Sequence, residues 1–127
     1  IHNELSAISS SETGKESLEK INMIAEDFAS KLTSHKADFH YFSKVLNESW
    51  LAKASLFPKN QTTNKLMKVY EDAMESGAYC GKLLGAGGGG FFAFFVEKNL
   101  QTQFIKKMAR YICVPANITF SGIEKVL

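Results

Sequence analysis

The chain has 127 residues, 45% of them apolar, and a net charge of +2 from 15 basic and 13 acidic side chains. That size allows one modest hydrophobic core, so a single domain is expected. Acids and bases are interspersed, with no basic stripe to follow a nucleic-acid backbone, and no apolar stretch approaches the roughly 20 residues of a membrane span; neither nucleic acid nor membrane is an expected partner, and a cytoplasmic protein is expected.

The chain opens on Ile1-His2-Asn3-Glu4, with neither a basic n-region nor an initiator methionine, and Ile1 reads as a cut. Ser6, Ser9, Ser10, Ser11 and Gly14 have loop composition. Leu18, Ile21, Ile24 or Ala25, Phe28 and Leu32 then recur at three- and four-residue steps, the period of a long amphipathic helix. After the polar break Thr33-Ser34-His35-Lys36, a second stripe runs through Phe39, Phe42, Leu46 and Trp50 until Phe57-Pro58 stops it. A third helix, from about Thr63, turns Leu66, Tyr70, Ala73 and Met74 inward, and Gly77 is placed to end it.

Next comes a glycine-bearing hairpin. Its second arm, Phe91-Phe92-Ala93-Phe94-Phe95-Val96, lacks alternation, which predicts a central strand covered on both faces. A helix from about Asn99 is expected to bury Leu100, Phe104, Met108 and Ile112 and to end before Pro115. Ile118-Thr119-Phe120 reads as a short closing strand. This order of elements predicts an α+β domain, a small antiparallel sheet layered with helices. Cys80 and Cys113 form no C-x-x-C pair, and His2, His35 and His40 match no metal-ligand spacing. They read as core thiols and surface imidazoles, with no metal site.

Seven of the nine glycines fall between Gly77 and Gly90, ending in Gly85-Ala86-Gly87-Gly88-Gly89-Gly90. A fixed glycine gives up more backbone entropy than any other residue, so a run of four is kept where side chains are excluded by positive φ, a ligand or a second backbone. Inward-turned N–H groups in such a loop make an anion-binding concavity, for which phosphate is the obvious guest. A flexible linker is disfavoured by the apolar flanks and the lack of Ser, Gln or Glu; a wide hairpin turn without a ligand is the plainer alternative. Gly85, Gly87 and Gly90 satisfy G-x-G-x-x-G, but a strand follows where a dinucleotide fold needs a helix. Gly81-Lys82 is followed by Leu83 instead of the Ser or Thr of a P-loop.

The segment Gly77-Ala78-Tyr79-Cys80-Gly81-Lys82-Leu83-Leu84-Gly85-Ala86-Gly87-Gly88-Gly89-Gly90-Phe91 resembles the third signature motif of the GHMP small-molecule kinases, the superfamily of galacto-, homoserine, mevalonate and phosphomevalonate kinases. Asn47-Glu48-Ser49-Trp50-Leu51-Ala52-Lys53 is similar to the E-S-W-x-x-K stretch of the branch acting on D-glycero-D-manno-heptose 7-phosphate, to which the fucokinase domain is a near relative. Ile118-Thr119-Phe120-Ser121-Gly122 resembles that branch's last strand, and the likeness runs from about Met23 onward.

This resemblance implies a carboxy-terminal GHMP kinase domain of ferredoxin-like fold. It implies that the amino-terminal domain, with its phosphate-wrapping P-x-x-x-G-L-G-S-S-type loop and magnesium ligand, and the first strand of the carboxy-terminal sheet, are not in this chain. ATP and Mg2+ are the implied cofactors, held mostly by residues outside the chain. The implied partners are a sugar or sugar phosphate and the protein's own amino-terminal kinase domain.

Gly85, Ala86, Gly87, Gly88, Gly89 and Gly90 would lie beside the phosphate loop at the cleft where acceptor and γ-phosphate meet. Lys82 would add a positive charge there, or stand solvated at the end of its strand. Glu48, Ser49 and Lys53 would face cleft or solvent, and Trp50 falls on the stripe that packs against the first helix. No residue qualifies as catalytic acid or base. The 127 residues alone are expected to be inactive and, with a bare strand edge, to self-associate. The competing reading is a non-catalytic ligand-binding or regulatory α+β module, distinguished by whether the upstream reading frame encodes a phosphate loop.

Overall fold

Three caps set where the first three helices begin. In the computed structural model, which describes residues 11–34, 38–85 and 90–116, α1 spans Glu12–Thr33, α2 Phe39–Ala54 and α3 Gln61–Ser76. Ser11 Oγ accepts from Gly14 N at 3.1 Å, Asp38 Oδ1 from Tyr41 N at 2.7 Å and Asn60 Oδ1 from Thr63 N at 3.0 Å. Each pairs an N–H that the first helical turn leaves open. The Ser11 cap starts α1 at Glu12, so Gly14 lies in its first turn and not in the expected loop. Gly77, at φ 110°, ends α3 in the left-handed conformation that the sequence called for.

The chain continues as β1 (Ala78–Leu84), β2 (Phe91–Val96) and α4 (Gln101–Lys107). β1 and β2 pair antiparallel, with Gly81 opposite Phe94, Leu83 opposite Phe92, Lys82 opposite Ala93 and Leu84 opposite Phe91. Ala78 pairs with Val96 but Cys80 with Phe95, which leaves Tyr79 as an extra residue in a bulge. The described residues thus make an α+β arrangement of four helices on a two-stranded antiparallel sheet, as the element order predicts. No described helix is long and apolar enough to cross a membrane. The closing strand expected at Ile118–Phe120 lies outside the described residues.

Because directly opposed residues share a face, the hairpin has one face of Gly81, Leu83, Phe92, Phe94 and Val96 and another of Cys80, Lys82, Leu84, Phe91 and Phe95. The first face carries the core. Trp50 is 3% exposed and its ring lies 5.0 Å from Phe92, 5.6 Å from Tyr70 and 6.0 Å from Phe57, centroid to centroid. Trp50 therefore packs on β2 and α3, and not on α1 as its stripe suggested. A second cluster of Ala73, Ala78, Phe104 and Met108, with Phe94 and Val96 against it, joins α3, the hairpin and α4.

The opposite face is covered only in part. Phe39 and Phe42 of α2 meet Phe95, with ring centroids 6.4 and 5.4 Å away. Phe91 is 75% exposed, so β2 is not covered on both faces among the described residues, as its unbroken apolar run had implied. That run is apolar for a different reason on each side: its even positions make the core with Trp50 and Tyr70, and Phe95 meets Phe39 and Phe42 at the start of α2. In α1, Phe28 stacks near Tyr41 and Phe42, while Leu18 and Leu32 remain exposed. A 22-residue helix laid on one 16-residue neighbour has more apolar stripe than partner.

α4 is shorter than expected. It ends at Lys107, Leu100 stands exposed at its cap, and Ile112 is 96% exposed. The turn that follows is held by Asp72 of α3, 7% exposed, whose carboxylate pairs with Arg110, accepts from Tyr111 Oη at 2.5 Å and faces Lys68 Nζ at 3.1 Å. That clamp folds Tyr111 inward and leaves Ile112 outside, which periodicity does not foresee.

Gly81 faces the ring of Phe94, and a Cβ built on it would collide with that ring's Cδ1 and Cε1. Gly81→Ala is therefore expected to lower the free energy of unfolding by about 1–3 kcal/mol through overpacking. A urea denaturation midpoint equal to wild type would show that the ring moves aside freely.

Candidate functional site

The two described ends of the glycine run, Gly85 and Gly90, leave no room for a side chain. Leu84 and Phe91 form the last cross-strand pair. Gly85 then adopts φ 100°, a conformation that an L side chain disfavours. At Gly90 a Cβ would strike the carbonyl oxygen of Leu84. Both ends of the glycine run thus exclude side chains, one by dihedral angle and the other by close approach of two backbones. Ala86, Gly87, Gly88 and Gly89 lie outside the described residues.

Lys82 does not end its strand, as one of its two expected placements had it. It lies within β1, exposed, opposite Ala93 on the face away from the core. Leu84, 47% exposed, and Phe91 stand beyond it on the same face, between it and the glycines. The open side of the tip is therefore apolar with one ammonium group behind it.

The other expected polar residues are dispersed along α2. Glu48 lines an open groove of about 620 Å³ between α2 and Tyr79, and its Oε1 faces Lys44 Nζ at 3.9 Å. Ser49 is half-buried and lines no part of that groove. Lys53 is exposed in the last turn of α2, where a cation complements the negative end of the helix dipole. Among the described residues no hydrogen bond or ion pair joins Glu48, Ser49, Lys53 and Lys82 to one another. Nor does any group of three His, Cys, Asp or Glu residues form there that could hold a metal ion.

Most of the groove's polar groups, His40 apart, are already engaged. Besides the Lys44–Glu48 pair, Ser43 Oγ donates to Phe39 O at 2.8 Å, and Asn47 donates through Nδ2 to Tyr79 O at 2.9 Å while its Oδ1 accepts from Tyr70 Oη at 2.7 Å. Tyr79 Oη donates to Glu97 Oε2 at 2.9 Å, which pushes the Tyr79 phenol pKa up. Burial raises the Tyr70 phenol, and burial raises the Cys80 thiol against a smaller lowering by Ser43; both stay protonated and unreactive at neutral pH. Tyr79 also stands about 17 Å along the strand from Leu84, at five residues of roughly 3.3 Å each. The groove is set apart from the described ends of the tip.

Asn47, Tyr70 and Tyr79 are the polar constellation that sequence reasoning did not single out. One signal was available: Asn47 sits among Phe42, Leu46 and Trp50 on an otherwise apolar stripe, where a carboxamide needs partners for both its donor and its acceptor.

Over 97 residues, 76% of this chain, the sequence is 33% identical to the D-glycero-alpha-D-manno-heptose 7-phosphate kinase of Campylobacter jejuni subsp. jejuni serotype O:2. A stretch of that length within 127 residues necessarily includes positions 31–97, so α2, α3 and the whole hairpin fall inside the match. The chain spans 28% of that kinase's length. No protein-family profile and no solved structure matches the chain. The chain is thus similar in sequence to part of a kinase.

Gly90→Ala tests the tip directly. The methyl group is expected to displace the Leu84 carbonyl, shifting the amide resonances of Leu84 and Phe91 and costing about 1–3 kcal/mol of stability. Unchanged spectra would mean that the two backbones are not in contact.

Proposed function

We propose that this chain is the carboxy-terminal domain of an ATP-dependent sugar kinase of the GHMP superfamily, with a heptose 7-phosphate as acceptor, and that its glycine hairpin helps to form the cleft in which phosphate is transferred. The observation that supports it most is the exclusion of side chains at Gly85 and Gly90, the two described ends of the glycine run, inside the segment shared with a heptose 7-phosphate kinase.

Phosphoryl transfer asks mainly for positioning and for stabilisation of charge on the transferred group. A glycine-rich loop suits that task, since its N–H groups can approach a phosphate with few side chains in the way. In this reading Gly85, Ala86, Gly87, Gly88, Gly89 and Gly90 border the phosphates, and Lys82 adds positive charge from the open face. ATP would supply the phosphoryl group and Mg2+ its charge neutralisation; as the resemblance to the GHMP kinases implies, both would be held mainly by an amino-terminal domain. Leu84 and Phe91 give the tip an apolar margin that such a domain would cover. Glu48 belongs to the remote groove and receives no role in transfer. Ser49 and Lys53 receive none either.

The test is ADP release by the longer protein containing this chain, assayed with heptose 7-phosphate, fucose, galactose and mevalonate in the presence of Mg2+. Turnover on the order of 1–100 per second is expected with the heptose phosphate, and none from the 127 residues alone. Release with no acceptor in the panel would refute the reading, and retained binding without turnover would favour a regulatory or ligand-binding module.

A further inference from the structure

We infer that Asn47 is a positioning residue for the glycine hairpin: its carboxamide pins the bulge at Tyr79 and thereby sets the register in which β1 carries the loop. The effect on phosphoryl transfer rests on the kinase reading above; the effect on the hairpin does not.

The bulge decides which face each later residue of β1 takes. Side chains alternate along a strand, so removing the extra residue at Tyr79 sends every following side chain to the opposite face. Leu83, now buried against Trp50 and Tyr70, would turn outward, and Lys82 would turn toward the ring cluster. The opposition of Leu84 to Phe91, and with it the close approach of Gly90 to the Leu84 carbonyl, would be lost. The placement of the tip is therefore determined several residues before it.

What holds the bulge is a relay of two hydrogen bonds that begins in the core. Tyr70, 6% exposed, sits in the ring cluster and donates through Oη to Asn47 Oδ1 at 2.7 Å; Asn47 Nδ2 then donates to the backbone carbonyl of Tyr79 at 2.9 Å. The first bond orients the amide and the second fixes the bulged peptide. A carboxamide accepts from one partner through its oxygen while donating to the other through its nitrogen, whereas ionised aspartate has no donor and leucine has neither group. The amide also occupies a carbonyl on the outer edge of β1, where an unpaired backbone group would otherwise invite another strand. At a bulge in the strand that leads to the loop, such a contact acts to aim the strand.

The experiment compares Asn47→Asp and Tyr70→Phe with wild type in the longer protein, reading both steady-state transfer to heptose 7-phosphate and amide hydrogen exchange. Asn47→Asp keeps the acceptor for Tyr70 but sets a carboxylate against the Tyr79 carbonyl. It is expected to lower kcat about 100-fold, the effect of misplacing a site by about an ångström, with KM for ATP within about twofold of wild type. Exchange at Lys82, Leu83 and Phe92 is expected to accelerate while that at Phe104 in α4 does not. Tyr70→Phe leaves the bond to Tyr79 in place and is expected to show the same pattern more weakly.

Wild-type kcat together with wild-type exchange in Asn47→Asp overturns the inference. So does uniformly faster exchange with kcat per folded molecule unchanged, which is the signature of a purely structural residue. If the wild-type protein transfers no phosphate, the kinase reading fails, and the exchange pattern alone judges the relay: acceleration confined to the hairpin supports it and none overturns it.

Discussion

Everything in this fold depends on the packing of Trp50, Tyr70, Phe92 and Phe94 against one face of a two-stranded hairpin. A lone hairpin is at best marginally stable in water, and it persists where helices cover one of its faces. The rings do this from three elements at once, α2, α3 and β2. The cluster even absorbs a defect. Trp50 Nε1 is buried with no hydrogen-bond partner among the described residues. Such an orphan donor costs about 1–3 kcal/mol, against roughly 4–6 kcal/mol from burying the 150–250 Å² that a large aromatic side chain typically presents. Burial wins, so the indole stays where its ring packs best.

From that cluster, order passes outward through polar contacts. Tyr70 is both a ring in the core and the donor that orients Asn47. Asn47 in turn secures the Tyr79 peptide, and the bulge there fixes the face on which Leu83 enters the core. On the far side, Asp72 binds Lys68, Arg110 and Tyr111 and ties the turn after α4 back to α3. At the described ends of the tip, Gly85 and Gly90 contribute no side chains, and Leu84 and Phe91 are exposed.

The helices and the hairpin were legible because their signals are local. Apolar residues at three- and four-residue steps marked α1, α2 and α3, and Gly77 marked the end of α3. The glycine run marked a turn between strands, and the likeness of its surroundings to a kinase motif agrees with the similarity to a heptose 7-phosphate kinase over positions 31–97. What escaped was set by tertiary choice. Trp50 falls on one stripe with Phe39 and Phe42, yet α2 straddles the edge of β1, so Trp50 reaches one face of the hairpin and Phe39 and Phe42 the other. Ile112 continues the α4 period, but the carboxylate of Asp72, 38 residues or more away in sequence, captures Arg110 and Tyr111 and ends the pattern. Glu48, Ser49 and Lys53 were grouped by their likeness to the E-S-W-x-x-K stretch, and of the three only Glu48 lines the groove beside Tyr79.

In the proposed kinase the glycine hairpin borders a transferred phosphate. A crystal structure of the longer protein with ADP, Mg2+ and heptose 7-phosphate measures this most directly. Backbone N–H groups of the 85–90 loop are expected within about 3 Å of a phosphate oxygen or of the acceptor. A loop more than about 10 Å from both ligands, beyond any direct or single-water contact, would contradict it.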